Sequence, residues 1–176
     1  WKNTENQYFT AKEYLEKVKE NQTDKNKTTI FLYVDDQVEK HTFLEAAKAK
    51  GYDVLIMDGQ LDSHYINWYE SKNQGRRFVR VDSDVIDKLI QKENSIKMSL
   101  TETQQEILRP VFESQMPKDE KIQYNISFEA MEPDEAPVVI TQNEFMRRMK
   151  EMAAMGGGGM SQFYGQMPEH FTIAVN

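Results

Sequence analysis

The sequence contains no cysteine, which excludes a disulfide framework and thiolate chemistry and is compatible with a reducing compartment. No apolar run approaches the ~20 residues that a membrane span requires, and no signal-peptide pattern is visible. Positive charge is in deficit: 22 basic residues stand against 29 acidic ones, for a net charge of −7. That balance argues against nucleic acid or an anionic membrane as partner. Histidine is scarce, and His41, His64 and His170 lie far apart with none in HExxH or a comparable metal-binding spacing. No serine sits in a GxSxG elbow. No strand-like run leads into GxGxxG or GxxxxGK[ST], so nothing in the sequence cradles a phosphate. The pairs Arg76-Arg77 and Arg147-Arg148 are too few for a nucleic-acid stripe. Asp35-Asp36 and Asp82/Asp84 read as solvated or capping carboxylates. Together these absences leave no catalytic, metal or cofactor site.

What is present alternates first between strands and helices. Residues 1–9 are irregular. Thr10 and Glu13 form a capping box that opens a helix from Ala11 to about Glu20. TTIFLYV (28–34) is a continuous β-branched and aromatic run, the mark of a strand buried on both faces. A helix over 38–50 follows, then a second buried strand over 52–58 and a helix over 62–72 capped by Asp62 or Ser63. A more charged edge strand over 77–82 precedes a helix capped by Ser83. Such alternation predicts a parallel sheet with flanking helices, an α/β unit. The tandem aromatics Tyr65, Trp68 and Tyr69 are expected to put one side on that sheet.

The pattern changes across the polar residues 91–99, which places a boundary between a unit of residues 1–93 and one of residues 94–176. Thr101 and Gln104 open a helix that Pro110 is expected to kink or split. KIQYNISFEA (121–130) alternates strictly, predicting a half-buried antiparallel strand. An acidic turn and PVVIT (137–141) then read as its hairpin partner, and FTIAVN (171–176) as a last strand. The second unit is therefore predicted as α+β, with a three-stranded antiparallel or mixed sheet. The chain opens at Trp1 and stops in an apolar, strand-like stretch, as expected of a piece of something longer.

Between the last two strands lies the most distinctive stretch, ITQNEFMRRMKEMAAMGGGGM (140–160). At helical spacing Phe145, Met149 and Met152 share a face, flanked by Met146 and Met155. Arg147, Lys150 and Glu151 are predicted to face the other way, with Arg148 inside the apolar arc. Thr141 or Asn143 is placed to cap the helix, and Gly156 to Gly159 end it. A helix on its own core normally carries Leu, Ile and Val; this one has none between Phe145 and Met155. Methionine is unbranched and polarizable and suits surfaces that fit varied partners. Burial of the Phe and four Met is worth on the order of 7–15 kcal/mol gross. The competing reading is a structural linker or dimerisation module with the Met helix packed as core. A third is a ligand-binding α/β domain of enzymatic type.

Three strings, KGYDVLIMDGQLD (50–62), RFVRVDSDVIDKL (77–89) and PVVITQNEFMRRMKEM (137–152), resemble the heat-shock protein 90 family in its bacterial HtpG branch. The resemblance covers essentially the whole chain. It implies that residues 1–93 are the small α/β part of the middle domain. Residues 94–176 would be the C-terminal domain, truncated before the dimerisation helices. It implies a cytoplasmic, ATP-dependent stress chaperone that homodimerises, with its ATP and Mg site outside this chain, so that this stretch is itself no enzyme. The implied partners are unfolded or partly folded client proteins, with no nucleic acid and no membrane. The family's client-binding helix maps onto Phe145, Met149, Met152 and Ala153, with Met146 and Met155 beside them. A second client contact maps onto Ser63, His64 and Asn67, where relatives often carry Glu-Trp in place of Ser63-His64; Tyr65 or Trp68 would compensate.

Overall fold

The structure is a computed structural model and describes residues 1–92, 97–119, 121–132, 135–155 and 167–176, the side chains of Ala154 and Met155 excepted. The chain divides into two compact units, Trp1–Glu93 and Asn94–Asn176.

The first unit is built on β2 (Thr29–Val34), whose six residues are all buried. It lies between β3 (Val54–Ile56) and β4 (Arg76–Arg80), parallel to both, with Leu32 opposite Val54 and Phe31 opposite Phe78. Because side chains alternate along a strand, β2 feeds two cores. Ile30, Leu32 and Val34 pack with Leu44 and Ala47 of α2 (His41–Ala49) and with Ile86 and Leu89 of α4 (Ile86–Leu89). Phe31 and Tyr33 pack with Tyr14 and Val18 of α1 (Ala11–Val18) and with Ile66 and Tyr69 of α3 (Asp62–Lys72). The unbroken apolar run thus encodes burial from both sides, and β4 is an edge, as its charge predicts.

Several sequence expectations are corrected. Residues 1–9 are not irregular throughout: β1 (Lys2–Asn3) pairs antiparallel with β3 and makes the sheet mixed. Trp1 then meets the rings of Tyr14, Phe31, Tyr65, Tyr69 and Phe78 edge-on at 5.2–6.4 Å. Helix α2 starts at His41 rather than 38, because the Asp36 carboxylate accepts the N–H groups of Val38 and Glu39 at 2.8 and 3.0 Å and holds a turn there. Neither Asp62 nor Ser63 caps α3. Leu61 occupies that position, the Asp62 carboxylate accepts the Gly59 N–H at 2.9 Å, and Ser63 is buried. Ser83 does not cap α4; its hydroxyl donates to the Arg80 carbonyl at 2.7 Å, and the helix starts only after Val85. The Thr10–Glu13 capping box is formed as read.

In the second unit α5 (Glu102–Gln115) carries its own capping box, Thr101 with Gln104, and continues through Pro110 instead of splitting there. Proline deprives the Glu106 carbonyl of its helical donor; Glu106 is exposed, so water can replace it. The hairpin expected between β5 (Ile122–Phe128) and β6 (Val138–Gln142) is not formed. Both strands flank β7 (Glu169–Val175), β5 parallel to it and β6 antiparallel. The expectation that β5 is antiparallel is corrected with it. Strict alternation reports that one face is buried but says nothing of the neighbour's direction. Burial of Ile173, Ala174 and Val175 in succession marks β7 as the centre. Ile126, Ile173 and Val175 form the core of one sheet face, covered by Phe112 of α5 and by Met116 just past its end. Thr141 and Ala174 are buried on the other face, and α6 (Glu144–Met155) packs against β7. The whole is broadly α/β: a mixed sheet flanked by helices, then a three-stranded mixed sheet with helices.

Candidate client-binding surface

Helix α6 begins where Asn143, not the buried Thr141, caps it: the Asn143 side-chain oxygen accepts the Met146 N–H at 3.2 Å. Phe145 follows and is 64% exposed, far more than a core aromatic. Met146, Met149 and Met152 are half-buried, and Ala153 is buried. The Met155 side chain lies outside the described residues, as do Gly156 to Gly159.

The polar side of α6 departs from its reading. Arg147 does not face solvent; it and Arg148 are both buried. Arg147 pairs with Glu144 at 3.0 Å and with Glu151 one turn on, while Arg148 reaches Glu144 at 2.6 Å. The cause is the sheet beneath. On the face with Thr141 and Ala174, the registered strands carry Gln123, Asn125, Ser127, His170 and Thr172, with Val139 as the one large apolar residue. A face so polar accepts a charge-paired helix side, whereas an unpaired buried guanidinium would be costly. Part of the methionine arc is thereby left toward solvent.

The second predicted contact set divides. Ser63 is buried, His64 is exposed, and Asn67 is half-buried. Leu61 at 73% and Trp68 at 57% exposure flank His64 on the same side of α3. Trp68 was legible as part of an aromatic tandem; Leu61 was missed, since a lone Leu after Gly59-Gln60 has no periodic partner. The α6 and α3 sets lie in different compact units.

Nothing else among the described residues resembles a reactive site. No group of three or more His, Cys, Asp or Glu residues is placed to hold a metal ion. At the carboxyl ends of β2 and β4, where α/β sheets bind ligands, the carboxylates are engaged. Arg80, buried, is held by Asp82 at 2.5 and 2.9 Å and by Asp35 at 2.5 Å, with Lys40 3.7 Å from Asp82. Asp82 is thus a buried ion-pair partner rather than a solvated charge or cap. Burial raises the Asp35 pKa, but Arg80 and Lys40, with hydrogen bonds to Arg80 and the local backbone, outweigh it and hold the carboxyl below its ordinary value. A depressed carboxylate contributes stability above its unfolded pKa of ~4 and loses it as pH falls through the folded value. Acid titration of urea stability below about pH 4 should therefore fall less steeply for Asp35→Asn than for the parent. Parallel curves would show that Asp35 is not linked to folding.

No protein-family model matches the chain. Curated relatives do. A chaperone protein HtpG of Bacteroides fragilis is 47% identical over 173 residues, 98% of this chain and 25% of that protein. The HtpG of Bacteroides thetaiotaomicron is 46% identical over the same shares, and that of Porphyromonas gingivalis 39% identical over 168 residues, 96% of this chain and 24% of that protein. All three relatives are named as chaperones. The chain is homologous to part of the HtpG chaperones over nearly all of its own length, and it spans about a quarter of the length of the curated relatives it matches.

Proposed function

We propose that this chain is a client-holding segment of an ATP-dependent chaperone and that α6 binds non-native polypeptide through Phe145, Met146, Met149, Met152 and Met155. The observation that carries the reading is Phe145, 64% exposed on a helix whose only aliphatic neighbours are Met and Ala. Exposed Phe and Met offer apolar area without a rigid pocket. They accept varied sequences at modest affinity, because the client must be ordered on binding. His64, Asn67 and Trp68 on α3 form a second, smaller contact. Ser63 belongs to it only as the buried base of that turn.

The activity of the whole protein is part of the same reading. Residues 1–93 correspond to the end of a middle domain and 94–176 to part of a C-terminal domain. ATP and Mg bind elsewhere in a cytoplasmic homodimer. No helix among the described residues is long and apolar enough to cross a membrane.

Reduced, carboxymethylated α-lactalbumin, a permanently unfolded chain, is the probe. Its fluorescein conjugate should bind the protein, and Phe145→Asp should weaken binding about tenfold while leaving the denaturation midpoint nearly unchanged, since an exposed side chain contributes little to folding. Equal binding by Phe145→Asp would remove α6 from the contact. The structural-module reading draws on the burial of Arg147, Arg148 and Ala153, which fixes one side of α6 to its own domain. It is the better account if that variant loses stability instead.

A further inference from the structure

Free sheet edges are templates for pairing, and proteins ordinarily blunt them with short strands, charged residues or side-chain caps. Three of the four edges here are blunted. Strand β1 has only 2 residues. On β4 the Phe78 N–H donates to the Glu70 carboxylate at 2.6 Å, and the strand carries Arg76, Arg77 and Arg80. On β5 the Ile126 carbonyl accepts from the Arg109 guanidinium at 2.9 Å.

Strand β6 is different. Its sequence, VVITQ, holds no charge. The Asn176 N–H donates to the Pro137 carbonyl at 3.0 Å, which makes 137/176 a hydrogen-bonded pair. By the alternation of an antiparallel ladder, the backbone groups of Val138 and Ile140 then point away from β7. Neither residue's outward N–H or C=O has a hydrogen-bond partner among the described residues. The two residues are 38% and 53% exposed. They end two apolar rows that cross the whole sheet: Ile126–Ile173–Ile140 and Phe128–Val175–Val138.

From this edge we infer a second mode of client capture. An extended segment of a non-native polypeptide, apolar at alternate positions, adds to β6 as a fourth strand, with backbone hydrogen bonds to Val138 and Ile140 and its apolar side chains lengthening the two rows. Backbone pairing supplies affinity without sequence, and the rows supply a preference for alternating Val, Ile or Phe. Charge favours a foreign strand over a second copy. Each copy carries a net charge of −7, and Glu132, Asp134 and Glu135 precede β6, so self-pairing meets repulsion and a Lys-flanked strand meets attraction. The inference rests on the client-binding reading but not on α6.

The probe is a fluorescein-labelled acetyl-Lys-Val-Thr-Val-Thr-Val-Lys amide, titrated into the 176-residue chain. Ile140→Lys, a charge at an exposed edge position, should weaken its binding about tenfold or more. The double variant Met149→Ser with Met152→Ser should change it by less than about twofold, because α6 is not the site. Two analogues N-methylated at the Val or at the Thr positions decide the backbone term on the unaltered chain and cover the case that Ile140→Lys does not fold. One analogue should lose binding and the other retain it, since only alternate N–H groups face the edge. Equal behaviour of the two analogues, or parent-like binding by a folded Ile140→Lys, overturns the inference. So does loss of peptide binding in the methionine variant, which assigns the peptide to α6. A dimer without peptide that Ile140→Lys dissolves overturns it in favour of a second copy. If only the α6 reading fails, Phe145→Asp leaves α-lactalbumin binding intact while Ile140→Lys still weakens the peptide.

Discussion

Phe31→Ala should destabilise the first unit by about 3–5 kcal/mol, a large share of the 5–15 kcal/mol that holds a typical domain. Phe31 is fully buried at the middle of β2, and its ring meets those of Trp1, Tyr14, Tyr69 and Phe78 at 5.1–6.2 Å. Each contact is an edge-on or tilted pairing that adds to area burial. Truncation leaves a cavity bounded by β2, β4, α1 and α3, none of which can close it without shifting the β2–β4 register. Trp1 lies against the ring, so urea unfolding followed by tryptophan fluorescence reads the loss directly. Val38→Ala, at an 88% exposed site, is the control and should stay within about 0.5 kcal/mol. A Phe31→Ala loss below about 1 kcal/mol would mean that the aromatic cluster is not the core of this unit.

How far the fold was legible follows from which residues carried unambiguous signals. TIFLYV announced a central strand because no surface strand tolerates six such residues. Thr10 with Glu13 and Thr101 with Gln104 announced helix starts because both halves of each box are present. What failed depended on partners distant in sequence. Nothing in KN at residues 2–3 reports its pairing with Leu55 and Ile56. Nothing in β5 or β6 reports that β7, some thirty residues after β6, inserts between them. The candidate surface was half legible. The methionine spacing put Phe145, Met149 and Met152 on one side of α6, and the structure leaves Phe145 exposed there. The burial of Arg147 and Arg148 was not legible, because it depends on the polarity of the sheet face beneath α6. Val138 and Ile140 read as ordinary strand residues, and only the strand order made them an open edge.

Replacing Met149 and Met152 together by Ser should lower α-lactalbumin binding by about thirtyfold or more, the largest functional effect expected of any exposed-face change. Both side chains are half-buried, so they contribute to two things at once, and their sizes separate the readings. The outer half of each is apolar area offered to a client. Losing it from two adjacent positions removes the centre of the contact, where truncation costs most. The inner half packs on the domain, so stability should fall as well, by about 1–2 kcal/mol for the pair. A fully buried pair would cost about 4–8 kcal/mol instead. The Lys150–Glu169 pair that joins α6 to β7 at 3.7 Å and the buried Ala153 are untouched in the double variant, so part of the docking of the helix is kept. The two measurements are α-lactalbumin anisotropy and urea denaturation on the same preparation. Lost binding with a small stability cost supports α6 as the client surface. Retained binding with a cost near the upper figure would make Met149 and Met152 core side chains, and α6 a structural helix whose one exposed aromatic is incidental.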